Sequence, residues 1–259
     1  MPEAGFLRSS LLEAHGVNAV FSQRHTGVSP PPFDSLNMGD RLGDACENIH
    51  RNLDLLCKQA GFIHPPHQAR QVHGVDVMQC NGAGCIQERE ADILIASEPD
   101  CAVAVRTADC LPILLAEPKV KLVAAVHAGW RGTVQNAVGM AINTLTELGG
   151  EPAHILASLG PCIGPCCFEV DERTAESIAN ACPGAEKLIA HTPTPHPNLA
   201  AINQLQLTQA GVKMENIEML STCSSCHPEL YFSHRRDKGL TGRQIAVVAL
   251  RSTAYTTQP

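Results

Sequence analysis

The chain has 259 residues, of which 44% are hydrophobic and only 3% aromatic, and its formal net charge is −7. A chain of this length can bury a sizeable core, which here must be built from aliphatic residues and alanine. The negative charge and the absence of a basic face argue against a general nucleic-acid binder or a membrane-surface binder. No charged-then-apolar N-terminal signal and no long apolar run is present, so the sequence predicts a cytoplasmic protein without membrane spans.

The first half of the chain predicts strands separated by one helix and one long loop. Val17–Ser22 is predicted as a strand, and the proline-interrupted segment from Arg24 to Arg41 as a loop that forms a wall of the substrate site. Asp44 is the expected cap of a helix that runs to about Ala60, with apolar residues along one face. The other strands predicted in this half are Gln68–Gln79, Cys101–Val105, Leu111–Ala116 and Lys121–Val126.

The second half predicts two further helices among strands. Thr133 is the expected cap of a helix whose apolar residues recur at helical spacing up to Gly149, and another helix is expected to begin near Asp171. Because some strands alternate with helices and others follow one another directly, the pattern predicts an α+β or four-layer α/β fold with mixed β-sheets flanked by helices. One domain is expected over residues 1–259. The strands predicted in this half are Ile155–Leu159, Ile217–Leu220 and Ile245–Leu250.

Three short segments carry the residues best suited to chemistry, and each stands where a predicted strand ends or turns. They are Gln71–Gly74, Thr107–Cys110 and His127–Thr133. Two imidazoles, of His73 and His127, and the thiolate of Cys110 would give three ligands of a zinc site with an open fourth position, which is typical of catalytic zinc. No local spacing rule joins the three residues, so solitary histidines and a buried packing cysteine stay open as alternatives.

The glycine-rich turn after His127 is a candidate anion site. Backbone N–H groups at the start of a helix favour anions, and Arg131 adds a planar charged donor that suits phosphate or carboxylate. The alternative is a turn required only by backbone geometry, with Arg131 solvated.

The remaining cysteines allow several interpretations among the twelve in the chain. The segment Cys223–His227 matches the haem-attachment pattern Cys-x-x-Cys-His, but the absence of an export signal argues against haem and leaves a second metal site, a redox pair or unlinked thiols. Cys162, Cys166 and Cys167 are further candidate ligands. Adjacent side chains on one backbone are expected to point in different directions, so convergence of these three on one ion is not favoured.

Several absences narrow the class of enzyme. No His-x-His pair is present, whereas a blue multicopper oxidase needs several such pairs for its copper clusters. The Gly-x-Ser-x-Gly, His-Glu-x-x-His and Walker motifs are also missing, which disfavours the corresponding hydrolases, zinc proteases and nucleotide triphosphatases.

Motifs spread over nearly the whole chain resemble the YfiH family, also called the polyphenol oxidoreductase (laccase-domain) or peptidoglycan editing factor family, to which the human purine-metabolising protein FAMIN belongs. The resemblance implies that His73, Cys110 and His127 form the zinc site and catalytic centre. The resemblance also implies a fold similar to that of cysteine-dependent toxin deamidases. Beside the three segments above, the matching motifs are Phe21–Arg24, Gly27–Ser29, Ser35–Gly39, Asn48, Arg51, Gly160–Gly164, Cys167–Val170, Phe232–Asp237 and Thr241–Arg243.

The function that this resemblance implies is purine nucleoside phosphorolysis. The substrates would be adenosine, inosine, guanosine and 5′-methylthioadenosine together with phosphate, with adenosine deamination at the same site. Zn²⁺ is the implied cofactor, with copper as an alternative metal. Candidates for binding phosphate or nucleoside are Arg24, Asn37, Arg131 and Arg235, for which loop-fixing hydrogen bonds are the alternative role.

Three other functions stay open. A Cys–His hydrolase that edits peptidoglycan precursors would use Cys110 as nucleophile and His127 as base. A non-catalytic metal-binding protein would buffer zinc or copper through its thiols and imidazoles, and a copper-dependent phenol oxidase is the remaining alternative. The sequence leaves the physiological substrate, the metal acquired in the cell and the oligomeric state open.

Overall fold

A computed structural model describes residues 5–252 of the chain. Its strands are β1 (Phe6–Arg8), β2 (Val17–Ser22), β3 (Gln68–Arg70), β4 (Val77–Cys80), β5 (Ile86–Glu90), β6 (Ile93–Ala96), β7 (Val103–Thr107), β8 (Leu111–Glu117), β9 (Leu122–Ala128), β10 (Leu156–Leu159), β11 (Ile189–His191), β12 (Pro195–Pro197), β13 (Ile217–Met219) and β14 (Gln244–Leu250). Its α-helices are α1 (Ser10–Glu13), α2 (Cys46–Ala60), α3 (Trp130–Val134), α4 (Ala137–Glu147), α5 (Glu172–Ala179) and α6 (Leu199–Gln209).

Two main sheets organise these strands. Four strands pair antiparallel in the order β1-β2-β14-β7, and six form a mixed sheet in the order β13-β10-β8-β9-β6-β4. The six-stranded sheet is antiparallel in its centre and parallel at both edges, where β13 pairs with β10 and β4 with β6. Two small two-stranded sheets, β3-β5 and β11-β12, complete the pairing.

The core consists of layers because both sheets are apolar on both faces. Alternate residues of the two sheets face each other in one cluster, which joins Val103 of β7 and Val248 of β14 to Leu114 of β8. The outer face of the four-stranded sheet packs against α2, and the outer face of the six-stranded sheet packs against α4 and α6. The result is a four-layer arrangement of helix, sheet, sheet and helices, which confirms the prediction of mixed sheets flanked by helices.

One predicted strand is wrong. The segment Gln68–Gln79 is not a single strand, because β3 ends at Arg70 and β4 begins only at Val77. The intervening residues form a turn in which His73 has a φ of 63°. The turn follows from a buried carboxylate, that of Asp92, which accepts hydrogen bonds from three consecutive backbone N–H groups of this segment and so withdraws them from strand pairing.

The two predicted N-caps, Asp44 and Thr133, are wrong. The helix α2 begins after Ala45, and Asp44 instead accepts hydrogen bonds from the backbone N–H of Ala45 and the side chain of Asn48. Thr133 lies inside the short helix α3, while α4 is capped by Asn136, whose side chain accepts a hydrogen bond from the N–H of Gly139. By contrast, α5 begins directly after Asp171, as predicted, and the Asp171 side chain caps it.

The sequence prediction missed several elements, including the buried strand β6 and the helix α6. β6 has four residues, too few to show a period, and the hydrophobic residues of α6 do not fall on one face. Within residues 5–252, no helix combines the length and the apolar character that crossing a membrane requires.

Candidate metal centre and active site

His73, Cys110 and His127 come together from three separate parts of the fold. His73 lies in the turn between β3 and β4, Cys110 immediately precedes β8, and His127 belongs to β9. One ligand atom from each residue lies within 4.8 Å of the others. The imidazole rings of the two histidines meet edge to face, with 4.9 Å between their centroids. The structure thus brings together the three residues that the sequence grouped only by resemblance.

Asp92 organises both histidines. It immediately precedes β6 and is fully buried beside His127. One carboxylate oxygen lies 2.6 Å from Nδ1 of His127, which leaves Nε2 of that ring to face Cys110. The same carboxylate accepts the N–H groups of Val72, His73 and Gly74 at 2.8 to 3.0 Å. A single side chain therefore orients one imidazole and holds the turn that carries the other.

Two further features allow the three ligand side chains to lie close together. The side chain of Gln71 pairs with the backbone of Arg106 in β7, donating to its carbonyl at 2.7 Å and accepting from its N–H at 2.8 Å, which ties the His73 turn to the other sheet. Gly129 lies so close that a Cβ atom there would stand 2.9 Å from Sγ of Cys110 and 3.0 Å from Cδ2 of His73. A glycine is therefore required for the imidazole and thiol to approach each other.

Electrostatics favour charged forms at this site. Burial alone would raise the pKa of the Cys110 thiol, but the imidazoles of His127 and His73 outweigh burial and lower it to about 6. Burial opposes protonation of His127, yet the Cys110 thiolate and the Asp92 carboxylate raise its pKa to about 9. The pKa of Asp92 lies below its ordinary value despite burial, because His127 and the backbone amides stabilise the carboxylate. In the metal-free protein, Cys110 and His127 thus form a thiolate–imidazolium pair near neutral pH.

The donor set fits a metal ion such as zinc. Two imidazole nitrogens and one thiolate sulfur are common zinc ligands, and three protein ligands with an open position are typical of a catalytic site. Asp92 supplies the carboxylate partner that metal-binding histidines usually have on their second nitrogen.

The three ligands face a cavity of about 650 Å³. Apolar walls come from Ile163 and Phe168, and the loop residues Gly39–Leu42 form another side. Six arginines contribute to its lining, namely Arg41, Arg70, Arg106, Arg131, Arg235 and Arg243.

Three of these arginines are neutralised by carboxylates, and three are not. Arg41 pairs with Glu88, Arg70 with Glu90, and Arg106 with Asp40. The other three form no ion pair within residues 5–252: the guanidinium of Arg131 stacks on Trp130, that of Arg235 donates to two backbone carbonyls beside Phe168, and that of Arg243 donates to the carbonyls of Thr241 and Gly242. Their positive charge is available to an anion in the cavity.

The four candidate phosphate or nucleoside ligands divide into two pairs. Arg131 and Arg235 line the cavity, whereas Arg24 and Asn37 do not. Arg24 binds the Asp34 carboxylate and backbone carbonyls and stacks on Phe232. Asn37 is fully buried and accepts the backbone N–H of Arg243 at 2.9 Å. The contacts of both match the loop-fixing role that the sequence had left as the alternative.

Sequence reasoning missed Asp92 and Arg243 as site residues. Asp92 stands before an unrecognised strand, and its proximity to His127 follows from the pairing of β6 with β9, in which Ile93 is opposite Val126. Arg243 lies just before β14, and its pKa responds to the Cys110 thiolate and the Asp109 carboxylate, although burial is the larger influence and lowers it. Recognition of β6 would have revealed the first of these residues.

A second group of potential metal ligands lies outside the three-ligand site. Cys166, Cys167, Cys223 and Cys226 have their Sγ atoms within 4.8 Å of one another. The prediction that Cys162, Cys166 and Cys167 do not all converge on one ion is confirmed, but its reason, that Cys166 and Cys167 diverge, is wrong: both sulfurs approach Cys226, at 3.5 and 3.4 Å. Cys162 is buried and does not belong to the group.

Comparison with known proteins finds relatives over most of the chain. The family model described as multi-copper polyphenol oxidoreductase laccase matches residues 18–251. The chain is 35% identical to the purine nucleoside phosphorylase YlmD of Geobacillus stearothermophilus over 95% of both chains, and 38% identical to the purine nucleoside phosphorylase YfiH of Escherichia coli over 91% of this chain and 94% of that one.

Solved structures extend the likeness to three dimensions. The crystal structure of YlmD from Geobacillus stearothermophilus has a TM-score of 0.89 at 32% identity and covers 97% of this chain and 98% of its own. The Neisseria meningitidis protein NMB0706 has a TM-score of 0.83 at 29% identity, covering 96% of this chain and 100% of its own. These matches confirm the resemblance inferred from the sequence, and the chain belongs to the YfiH family, whose model is described as multi-copper polyphenol oxidoreductase laccase.

Proposed function

We propose that the chain is a zinc-dependent purine nucleoside phosphorylase that cleaves adenosine, inosine, guanosine and 5′-methylthioadenosine with phosphate and deaminates adenosine at the same site. One observation carries the proposal: His73, Cys110 and His127 converge on a cavity whose lining includes arginines without carboxylate partners. The names of the similar proteins point to the purine nucleoside as substrate. A cavity of about 650 Å³ also lies within the usual range for small-molecule sites.

The metal and the chain contribute different chemistry. Zinc held by His73, Cys110 and His127 would supply Lewis-acid chemistry, which makes water a stronger nucleophile near neutral pH and suits deamination of the purine ring. Asp92 keeps the imidazole of His127 in one orientation through the 2.6 Å contact to Nδ1. The apolar surfaces of Ile163 and Phe168 suit the faces of a purine base and exclude water from it.

Phosphorolysis needs positioning more than covalent chemistry. A phosphate oxygen forms the new bond to the ribose carbon as the bond to the base nitrogen breaks, and the departing base takes up a proton. Arg131, Arg235 and Arg243 carry the free positive charge that would hold phosphate next to the sugar. Fixing the two reactants in this geometry and stabilising the charge are the contributions we assign to these arginines.

A second candidate is the Cys–His hydrolase that edits peptidoglycan precursors. The observation in its favour is the chain of contacts from Cys110 to His127 to Asp92, with a pKa near 6 for the thiol and near 9 for the imidazole. The thiolate would add to a carbonyl, the imidazolium would protonate the departing amine, and water would then hydrolyse the thioester. This enzyme would work better after chelation, because a bound metal would occupy its nucleophile.

The copper oxidase and the metal buffer have less support. Within residues 5–252 only two groups of candidate ligands occur, and one of them contains cysteines alone, whereas a multicopper oxidase needs further histidines for its copper clusters. Copper-dependent oxygen uptake in the presence of phenols would support the oxidase hypothesis. A buffer would bind metal without turning over any nucleoside.

Product analysis tests the leading proposal. Purified protein loaded with zinc is incubated with adenosine, with and without phosphate, beside the variants Cys110→Ala and Cys46→Ser. The second variant is a matched control, since Cys46 is exposed and lies outside both cysteine-containing groups. We expect adenine and ribose 1-phosphate only with phosphate, and inosine without it, from the unmodified protein and the control. Either product from Cys110→Ala at an undiminished rate would contradict a shared site.

A further inference from the structure

The four cysteines Cys166, Cys167, Cys223 and Cys226 come from two loops that meet beside the candidate active site. The first loop, residues 160–170, follows β10, and the second, residues 220–237, follows β13. The loops are joined by backbone hydrogen bonds, because the N–H of Cys162 donates to Thr222 and the N–H of Ser224 donates to Cys162. Neither loop contains a regular helix or strand that would otherwise fix it.

The sulfur positions match a single tetrahedral metal ion. The Sγ atoms of Cys166 and Cys167 lie 3.5 and 3.4 Å from that of Cys226, much farther than the ~2.05 Å of a disulfide bond. Thiolates about 2.3 Å from one zinc ion stand roughly 3.8 Å apart, so these two pairs need to separate by only a few tenths of an ångström to surround an ion. All four sulfurs lie within 4.8 Å of one another, which suits one ion rather than a larger iron–sulfur cluster.

The surroundings support a charged metal–thiolate group. Four thiols that bind one Zn²⁺ release four protons and leave a net charge of −2, which needs nearby donors. The N–H of Gly164 donates to Sγ of Cys223 at 3.3 Å. Arg236 donates to the carbonyl of Ser224, inside the Cys223–Cys226 segment, and Arg235 donates to the carbonyl of Cys167. These two arginines hold the backbone of both loops next to the cysteines, and Arg236 is also paired with the Asp237 carboxylate.

We propose that Cys166, Cys167, Cys223 and Cys226 bind a structural zinc ion that positions the Asp109–Cys110 turn of the candidate active site. Four thiolate ligands leave no open position, which is typical of a structural site.

The link to the active site is direct. Asp109, the neighbour of Cys110, has a φ of 90°, a backbone conformation that is uncommon for residues other than glycine. Its carboxylate accepts hydrogen bonds from Ser224 Oγ at 2.6 Å and from the N–H of Arg235 at 2.7 Å, and its carbonyl accepts the N–H of Ile163. Both loops that the zinc would join thus hold the turn that presents Cys110.

Metal analysis of the zinc-loaded, reduced protein tests the site without reference to any substrate, so its outcome is separate from that of the proposed function. We expect two zinc ions per chain in the unmodified protein and one in Cys110→Ala, which lacks a ligand of the other site. The double variant Cys110→Ala, Cys226→Ser should hold none. Its matched control, Cys110→Ala with Cys46→Ser, should hold one.

X-ray absorption of Cys110→Ala keeps the proposal testable if the Cys226→Ser variant fails to fold, because this protein retains all four cysteines. The zinc edge should show only sulfur neighbours at about 2.3 Å. Nitrogen or oxygen in the shell, iron in place of zinc, or disulfides among the four cysteines in protein from reducing conditions would overturn the assignment. So would equal zinc content in Cys110→Ala with and without Cys226→Ser.

Hydrogen exchange tests the positioning role. In Cys226→Ser with an intact Cys110, exchange at residues 107–110 should be faster than in the Cys46→Ser control, because Ser224 and Ile163 no longer hold Asp109. If the variant has lost one zinc ion and exchange in that segment is unchanged, the metal stabilises only its own two loops. That result would contradict its role in positioning the Asp109–Cys110 turn.

Discussion

Asp92 is the residue on which the three-ligand site depends most, although it would touch neither metal nor substrate. Its two oxygens accept the three N–H groups of the His73 turn and contact Nδ1 of His127. A carboxylate can make all of these contacts because it only accepts, whereas an amide must turn one NH₂ donor toward a group that also donates.

Replacing Asp92 with asparagine should therefore weaken metal binding while leaving the volume of the site unchanged. We expect zinc affinity to fall by about 10- to 100-fold, as is common when the partner of a metal-binding histidine is lost. Competition with a chromophoric chelator measures the affinity. Asp76→Asn is the control, since Asp76 is exposed and contributes only its backbone carbonyl to this region. Equal affinities in the two variants would contradict the role of Asp92.

Cys110 should be unusually reactive in the metal-free protein. Its pKa of about 6 means that the thiol loses its proton as pH rises through 6, whereas an ordinary thiol does so near 8.5. The alkylation rate of Cys110, followed by mass spectrometry of its peptide, should rise to a plateau by about pH 7. An unstructured peptide thiol serves as the reference. Half-maximal alkylation near pH 8.5 would show that the imidazoles do not stabilise the thiolate.

Arg243 should matter for phosphate more than for the nucleoside. It faces the cavity and has no carboxylate partner within the described part of the chain. Burial lowers its pKa, and the charge of the Cys110 thiolate acts in the opposite direction. For Arg243→Gln we expect the KM for phosphate to rise by roughly tenfold or more, since a hydrogen bond to a charged group contributes about 1.5–3 kcal/mol. Phosphate-independent deamination should change little. Arg173→Gln, on the exposed face of α5, is the control, and equal effects on both reactions would argue against a phosphate role.

At the scale of elements, the long loop from Arg24 to Arg41 is held to α2 by one buried side chain. Asn52 accepts the N–H of Val28 and donates to Ser29 Oγ and to the carbonyls of Ser35 and Asn37. These contacts replace the regular pairing that the loop lacks.

Asn52→Ala should leave several buried polar groups of the loop without partners. We expect the free energy of unfolding to fall by about 1–3 kcal/mol, together with faster hydrogen exchange in residues 28–37. Urea denaturation gives the first quantity and mass spectrometry the second. His50→Ala changes an exposed residue of the same helix and should alter neither. If Asn52→Ala is as stable as the unmodified protein and exchange in residues 28–37 stays slow, contacts other than those of Asn52 hold the loop.

Patterns within one element could be predicted from the sequence, and contacts between elements could not. Strand β2 and the start of α5 near Asp171 could be predicted from the local sequence. The break after Arg70 did not, because it depends on Asp92, a residue distant in sequence whose strand has only four residues. The same reason explains why the His73, Cys110 and His127 group rested on resemblance and why Cys166 and Cys167 were expected to diverge.

At the scale of the molecule, the two sheets are held together by a shared aliphatic cluster and not by the short loops. Leu114 of β8 lies fully buried in that cluster, opposite residues of the four-stranded sheet. Leu114→Ala should lower the free energy of unfolding by about 2–5 kcal/mol, because it removes buried methyl groups and leaves a cavity between the sheets.

Urea denaturation measures this loss, and far-ultraviolet and tryptophan signals should change together if the layers unfold as one unit. Met140→Ala provides the control, since Met140 is 41% exposed on α4. Separate transitions for the two signals would indicate that the sheets unfold independently. That outcome would also count against the prediction of one domain over residues 1–259.

The position of Cys110 has a consequence for the order of events during folding. This residue stands on the connection from β7, in one sheet, to β8, in the other, while both histidines belong to the side of the second sheet. The thiol of Cys110 approaches the imidazole of His127 when β8 pairs with β9, because Leu111 is then opposite Ala128. His73 joins them when its turn closes on the Asp92 carboxylate beside β6. A chain emerging from the ribosome would therefore have its three candidate ligands close together once β9 has been made. The Asp109–Cys110 turn would become fixed only later, when Ser224 and Arg235 have been synthesised and contact the Asp109 carboxylate.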